Sequence, residues 1–567
     1  MLHTIQAPHH QQDTPFIDGV ISHLAPDMLE PVAKQYASIY GTGEFSGERR
    51  RKANVFLLGI DDNRKAGSSR ILLADREYLK KKSERLATSA GKRLKATGYP
   101  SAVQLLENHQ LSEPLADSTE GKAARLCCPD WWMRQLTKQS EREAEHFAIK
   151  SGFVRRGVSP YVSTALLKHI QQKQQASLEA MERMEAVNTD TGETVPMMDI
   201  LKGSIANPEV RRVELMVRCR GFEDYAKQQG HVAAFYTITA PSKYHATAWN
   251  SATRKAYDNR KYSGTTPRDT QAYLVRLWAK IRAKLKRDSL NVYGFRVCEP
   301  HHDGTPHWHL LLFMQPHHQS TVTAIMEAYA MAEDGSEHGA EKHRFTVEII
   351  DTSKGSATGY IAKYVSKNIN GAGINEDFES GDDAATSAER VRVWASLWGI
   401  RQFQMVGGAP VGVWRELRRI ASAEHDLIEQ ARQAADKADW MQYLVIQGGA
   451  LANRKDQPLK CYTVERIDAE TGQQITNKYG EPVDKVEGVS LLDMSKAVTR
   501  VHEWIIQRKP DDSEEINLNK LVNGGNSFAF DLEGAAARSS DNNCTQPAYR
   551  LMDDLVNRGV LTAGGLH

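Results

Sequence analysis

The chain has little that would cross-link it or anchor it in a bilayer. Its 567 residues hold six cysteines, Cys127, Cys128, Cys219, Cys298, Cys461 and Cys544, and none forms a Cys-x-x-Cys pair. That excludes a disulfide framework and a zinc knuckle, and fits a reducing compartment. No run of about 18 apolar residues occurs, which argues against a membrane span. Met1–Pro15 is rich in His and Gln and has no apolar centre, which argues against a signal peptide. An excess of one charge is also missing: 73 Lys and Arg face 71 Asp and Glu, a formal net of +2. Any nucleic-acid footprint must therefore be local. What the chain does have is 40% apolar composition, ample for two or three domains with real cores.

One stretch carries recognisable chemistry: Glu299-Pro-His-His-Asp-Gly-Thr-Pro-His307-Trp-His309-Leu-Leu-Leu-Phe. The apolar run Leu310–Met314 reads as a buried strand starting near His307. Strand side chains alternate, so His307 and His309 share a face with Leu311 and Phe313. Val292–Glu299 reads as a second strand with Tyr293, Phe295, Val297 and Glu299 on one face. The link Pro300–Pro306 is turn-rich, and Asp303-Gly304 is a hairpin signal. Antiparallel pairing would bring Glu299 to the two imidazoles. Three protein ligands with open positions make a catalytic metal site, not a closed structural one. A His-x-His alone is a weak signal; the turn before it, the strand after it and the Glu on the preceding strand strengthen it. His301, His302, His317 and His318 read as solvated loop histidines.

About fifty residues on comes Gly359-Tyr360-Ile-Ala-Lys363-Tyr364-Val-Ser-Lys367-Asn. On a helix, Tyr360, Lys363, Tyr364 and Lys367 fall within an arc of about 100°. Ile361, Ala362, Val365 and Ile369 lie opposite and are expected to pack on the sheet. Ordinary amphipathic packing would account for two such rings as well as a functional stripe does. A phenol is a usable nucleophile when its proton is removed, and neighbouring ammonium groups favour the phenolate and neutralise phosphate oxygens.

These stretches resemble the HUH endonuclease superfamily, two histidines around one hydrophobic residue, here Trp308. The pair Tyr360-x-x-x-Tyr364 resembles the two-tyrosine rolling-circle replication initiators. With Pro241-Ser-Lys-Tyr-His245 and Trp398-Gly-Ile-Arg-Gln-Phe-Gln404, the chain is similar to the phage replication gene A protein family over roughly 230–420. The resemblance implies a site- and strand-specific endonuclease and strand transferase acting on single-stranded and origin DNA. Mg²⁺ or Mn²⁺ on His307, His309 and Glu299 would serve attack by Tyr360 and Tyr364, helped by Lys363 and Lys367. A 5′-phosphotyrosine and a priming 3′-OH would start rolling-circle replication of a phage or prophage genome in the bacterial host cytoplasm, away from any membrane. Partners would be a host helicase, since no phosphate-binding loop follows Gly448, and a replication polymerase. Two other readings are a non-enzymatic single-stranded-DNA-binding protein and a His-x-His zinc hydrolase; the latter needs further His and Asp ligands.

The rest of the chain frames that centre. Residues 1–228 read as a helical accessory region for origin or partner contacts, partly disordered up to Asp18 with short helices after it. In it Asp130 is a candidate helix cap, Trp131 and Trp132 read as core or interface anchors rather than base platforms, and Tyr161–Val187 as one long helix. Residues 229–420 read as the endonuclease domain. Its element order predicts an α+β fold, a ferredoxin/RRM-like antiparallel sheet with helices on one face. The loop 243–262 is the predicted DNA contact, with Lys243, Tyr244, Arg254, Lys255, Arg260 and Lys261 interleaved with Trp249, Tyr257 and Tyr262. Thr266-Pro-Arg-Asp269 predicts a capped helix start. Gly371–Asp383 reads as a mobile surface loop, and 421–567 as a small mixed region with disorder over 523–545.

Overall fold

The computed structural model describes residues 9–509 except 10, 23, 25, 42–46, 67–75, 251–252, 254, 352, 354, 372–382, 469–470 and 493–494. The segment 523–545 and nearly all of 371–383 thus lie outside the described residues. Partial disorder is expected only up to Asp18, with short helices after it; the helix Thr14–Ile21 starts four residues earlier than that.

The elements that build the site are α1 (Pro129–Lys150), α2 (Thr164–Glu182), α3 (Pro208–Gln228), β1 (Val232–Ile238), β2 (Thr247–Asn250), β3 (Lys255–Asp258), α4 (Pro267–Arg287), β4 (Tyr293–Pro300), β5 (Pro306–Met314), α5 (Gln319–Ala330), β6 (Phe345–Ile349), α6 (Ala357–Ile369), α7 (Ala384–Trp398), β7 (Phe403–Val406), α8 (Val411–Leu417), α9 (Asp426–Asp436) and α10 (Trp440–Ile446). Five strands form one sheet in the order β6-β1-β5-β4-β7. Every neighbouring pair is antiparallel.

The class is α+β, but helices cover both faces of the sheet, not one. Ala234, Tyr236, Ile238, Trp308, Leu310, Leu312 and Met314 share a core with α4, α5, α7 and the N-terminal helices. Phe235, Tyr293, Phe295, Val297, Leu311 and Phe313 pack with α3, α6, α9 and α10. The reason is visible in β5: its apolar residues run on without alternation, as a strand buried on both sides requires, and every residue of β4 and β5 is buried.

Local signals explain most boundaries. Thr266 and Asp269 form a reciprocal capping box at the start of α4, with Pro267 in the first turn. Leu274, Leu277, Trp278, Ile281 and Leu285 are its buried stripe. Helix α1 starts at Pro129, so Asp130 lies inside its first turn and is not the cap; Lys478 pairs with it at 3.1 Å. Trp131 and Trp132 are buried, and the Trp132 indole N–H donates to Leu126 O at 2.7 Å. The expected helix Tyr161–Val187 is shorter. It ends at Glu182, and Met184–Asn188 is a strand paired with Trp504–Arg508. A partner more than three hundred residues away overrides local propensity there. No helix among the described residues is long and apolar enough to cross a membrane.

Candidate metal centre and tyrosine helix

The β4–β5 hairpin sets the centre. Its register pairs Glu299 with His307 and Val297 with His309, while β1 brings Thr237 opposite His309. The ligand atoms of Glu299, His307 and His309 all lie within 4.8 Å of one another, and all three residues are buried. The two Nε2 atoms are 3.0 Å apart, and His309 Nε2 lies 3.7 Å from Glu299 Oε2.

The donor set suits a divalent cation. Adjacent ligands about 2.1 Å from a six-coordinate ion stand about 3.0 Å apart, the spacing of the imidazole pair. Burial, then the nearby charges of His301 and Lys367, pushes His309 down to about 3. Burial, then His309 and Lys367, pushes His307 well below its ordinary value. Both imidazoles are therefore neutral at physiological pH and keep a lone pair for a metal. Thr237 Oγ1 lies 2.9 Å from His309 Nδ1, so the other ring nitrogen is the one turned to Glu299.

The carboxylate is held by a chain of amides. Asn368 donates from Nδ2 to Glu299 Oε1 and, at 2.6 Å, to Tyr364 O. Gln402 Nε2 donates to Asn368 Oδ1 at 3.2 Å. Lys367 Nζ sits 3.8 Å from Glu299 Oε2.

The loop between the strands is not the solvated one expected for His301 and His302. His301 stacks on His307 with ring centroids 4.0 Å apart. The Asp303 carboxylate accepts from Thr305 N at 3.0 Å and Thr247 N at 3.4 Å, and lies 3.2 Å from His245 Nδ1. Burial opposes its ionisation, yet His245, His302 and His301 hold it well below the usual carboxylate range. Gly304, at φ +81°, makes the turn, and the Trp394 indole donates to its carbonyl at 2.8 Å. Tyr161, from the N-terminal region, donates its backbone N–H to His302 O at 3.2 Å. Its own backbone is left-handed at φ +69°, and Lys367 Nζ lies 5.6 Å from the centre of its ring.

On α6 the two tyrosines are half-buried, and neither stands on a face turned fully away from the sheet. Ile361, Val365 and Ile369 do pack into the sheet core as expected. The Tyr364 ring lies 4.1 Å from the His309 ring and 5.1 Å from the Phe235 ring. Tyr360, one turn earlier, hydrogen-bonds Glu348 on the edge strand β6, and that bond together with the carboxylate's charge raises its pKa. Lys363 is exposed.

The predicted DNA-contact residues are scattered. Lys243 is engaged with Glu333 at 2.6 Å and Asp334 at 2.9 Å. Tyr244 packs on Tyr273 at 5.0 Å between centroids. Arg260 and Lys261 are exposed. Arg254 falls outside the described residues. Lys255 opens β3, so 243–262 is partly the hairpin β2–β3 and not one loop. Reading the sequence missed Thr237, Asn368, Gln402 and Tyr161. Asn368 closes the tyrosine motif and Gln402 lies in the block after it, but nothing local to Thr237 or Tyr161 points to the site.

Residues 50–372 match the family described as bacteriophage replication gene A protein. A probable replication protein of Pseudoalteromonas phage PM2 is 41% identical over 76% of this chain and 66% of its own length. The replication gene A protein of Escherichia phage 186 is 40% identical over 73% of this chain and 58% of its own. A probable replication endonuclease from a prophage-like region of Salmonella typhi is 35% identical over 73% and 53%. The chain thus spans about half to two thirds of the length of these curated relatives. No solved structure matches it.

Proposed function

The chain belongs to the bacteriophage replication gene A protein family, and from that premise we propose that it is an HUH-type endonuclease that starts rolling-circle replication by nicking and rejoining one DNA strand. The observation that carries this reading is a neutral imidazole pair and a buried carboxylate with a tyrosine ring packed 4.1 Å from one of the imidazoles. Family relatives named replication endonucleases fit the same reading.

A phenol oxygen of α6 attacks the scissile phosphorus in line. The bond from phosphorus to the 3′-oxygen breaks, the 3′-oxygen leaves with a proton, and the 5′-phosphate stays on tyrosine. Phosphodiester energy is kept in that link, so rejoining needs no nucleotide cofactor. His307, His309 and Glu299 would hold Mg²⁺ or Mn²⁺, which supplies charge to polarise the phosphate oxygens. Lys367 adds positive charge at the same point and favours the phenolate, with Lys363 available at the surface of the same helix. Asn368 and Gln402 keep the Glu299 carboxylate aimed. Spacing of one helical turn lets both phenols serve one phosphate alternately, as cleavage followed by closure requires. The substrate is single-stranded origin DNA, with a host helicase and polymerase acting after the nick.

Incubation of the protein with single-stranded DNA and Mg²⁺, followed by a denaturing gel, tests this. A covalent adduct mapped to a phosphotyrosine peptide in α6 is expected. Binding without an adduct would instead favour a single-strand-binding protein, and hydrolysis without one a zinc hydrolase.

A further inference from the structure

Beside the metal centre lies a group of guanidinium ions that the chemistry above does not use. Arg211 and Arg218 are on α3, Arg392 on α7, Arg415 on α8, and Arg418 directly follows α8. Arg211 stands over the Phe403 ring at 5.5 Å, and Arg218 reaches Met405 Sδ at 3.8 Å. Glu214 serves the group: Arg415 binds it in a fork at 2.8 and 2.7 Å, and Arg218 lies 3.5 Å away. Arg211 and Arg392 make no ion pair among the described residues. Crowding by protein atoms, then the charges of Arg392 and Arg218, holds Arg211 below its ordinary value, although its side chain reaches solvent. Arg211, Arg218, Arg415 and Arg418 share Glu214, and Arg392 next to Arg211 has Glu389 beside it, so positive charge is in excess here and favours an anion from outside.

The register says which anion. His309 pairs with Val297, and Val297 pairs with Phe403, so all three lie in one row on one face of the sheet. Two strand spacings, about 10 Å, separate Phe403 from His309. Between them Gln402 already connects the edge of the sheet to Asn368 and Glu299. A half-buried aromatic ring beneath a guanidinium is a stacking platform, and guanidinium forks match phosphate oxygens.

We propose that Arg211, above Phe403, and the neighbouring Arg392 bind the phosphates that flank the scissile bond on one side, so that the strand leaves the centre across the β7 edge. This rests on the reading that His307, His309 and Glu299 handle the scissile phosphate. It adds the path of the strand, and it assigns that path to a surface that does not include the stretch 243–262. An acidic protein partner would meet the charges but would have no use for the ring or for the row shared with His309.

The test uses the full chain and a single-stranded oligonucleotide titrated at several salt concentrations. In Arg211→Gln/Arg392→Gln, affinity at low salt should fall about tenfold or more. The slope of log affinity against log salt should shrink by about 1.4, since each phosphate contact on a single strand contributes about 0.7. Arg211→Lys/Arg392→Lys keeps the charges and should restore the slope. An unchanged slope in the Gln variant overturns the proposal, as does a Lys variant that loses the slope as fully as the Gln variant. Failure of the nuclease reading would register separately, as a wild-type protein that binds DNA with a normal salt slope and forms no adduct.

Discussion

Tyr364 and Tyr360 stand one turn apart on the same helix, yet they face different neighbours. Tyr364 packs against both His309 and Phe235, whose rings also stack on each other, beside the candidate metal ligands, and its backbone carbonyl is tied through Asn368 to Glu299. Tyr360 is bound to Glu348 at the rim of the sheet, where a carboxylate opposes its ionisation. The lesson is that equal spacing on a helix does not give equal readiness. One phenol is packed against the imidazole pair, and the other is held by a carboxylate one turn away.

The comparison can be broken most completely by removing what both tyrosines serve. His309→Ala, or Tyr360→Phe combined with Tyr364→Phe, should reduce covalent adduct at least about 10²-fold, read on a denaturing gel. An adduct that survives the double Phe variant would place the nucleophile elsewhere. Next in size is the contrast itself. Tyr364→Phe should slow the first cleavage by roughly 10²-fold while Tyr360→Phe leaves that step near wild type and impairs rejoining, measured by single-turnover assays. Equal effects on the first step would erase the distinction.

Smaller again is the aiming of the carboxylate. Asn368→Ala or Gln402→Ala should weaken Mn²⁺ affinity by about 10- to 100-fold, measured by calorimetry, with the tyrosines intact. The smallest effect is on titration. A phenol beside a carboxylate ionises at higher pH because its anion is repelled. Glu348→Gln should therefore move the Tyr360 ionisation down in pH, followed by ultraviolet difference spectra in a Tyr364→Phe background. No shift would mean that Glu348 does not restrain Tyr360.

Much of this centre was legible in the chain. Alternation put His307 and His309 on one face, the Asp303-Gly304 turn predicted the hairpin, and the antiparallel register then delivered Glu299. The 3.6-residue period placed Ile361 and Val365 in the core. What stayed hidden depended on contacts distant in sequence. Thr237 meets His309 across a strand pairing, and Gln402 reaches Asn368 only after β7 docks on β4. The helices on the second face went unforeseen because an antiparallel sheet is commonly open on one side. The unbroken run Leu310–Met314 was the signal against that. Single basic residues also have partners that the sequence does not show. Lys243 looks like a phosphate ligand in the sequence, and in the fold its charge is spent on Glu333 and Asp334.

Tyr161 reaches the centre from far upstream, in a left-handed backbone conformation that a residue with a side chain adopts at a cost of about 1–3 kcal/mol. A shortened chain that began at residue 229 would keep Glu299, His307, His309 and both tyrosines. It would nonetheless lose the strut beneath the His302 carbonyl and the ring facing Lys367. Trimming the protein to its most recognisable stretch would take away one wall of the candidate site.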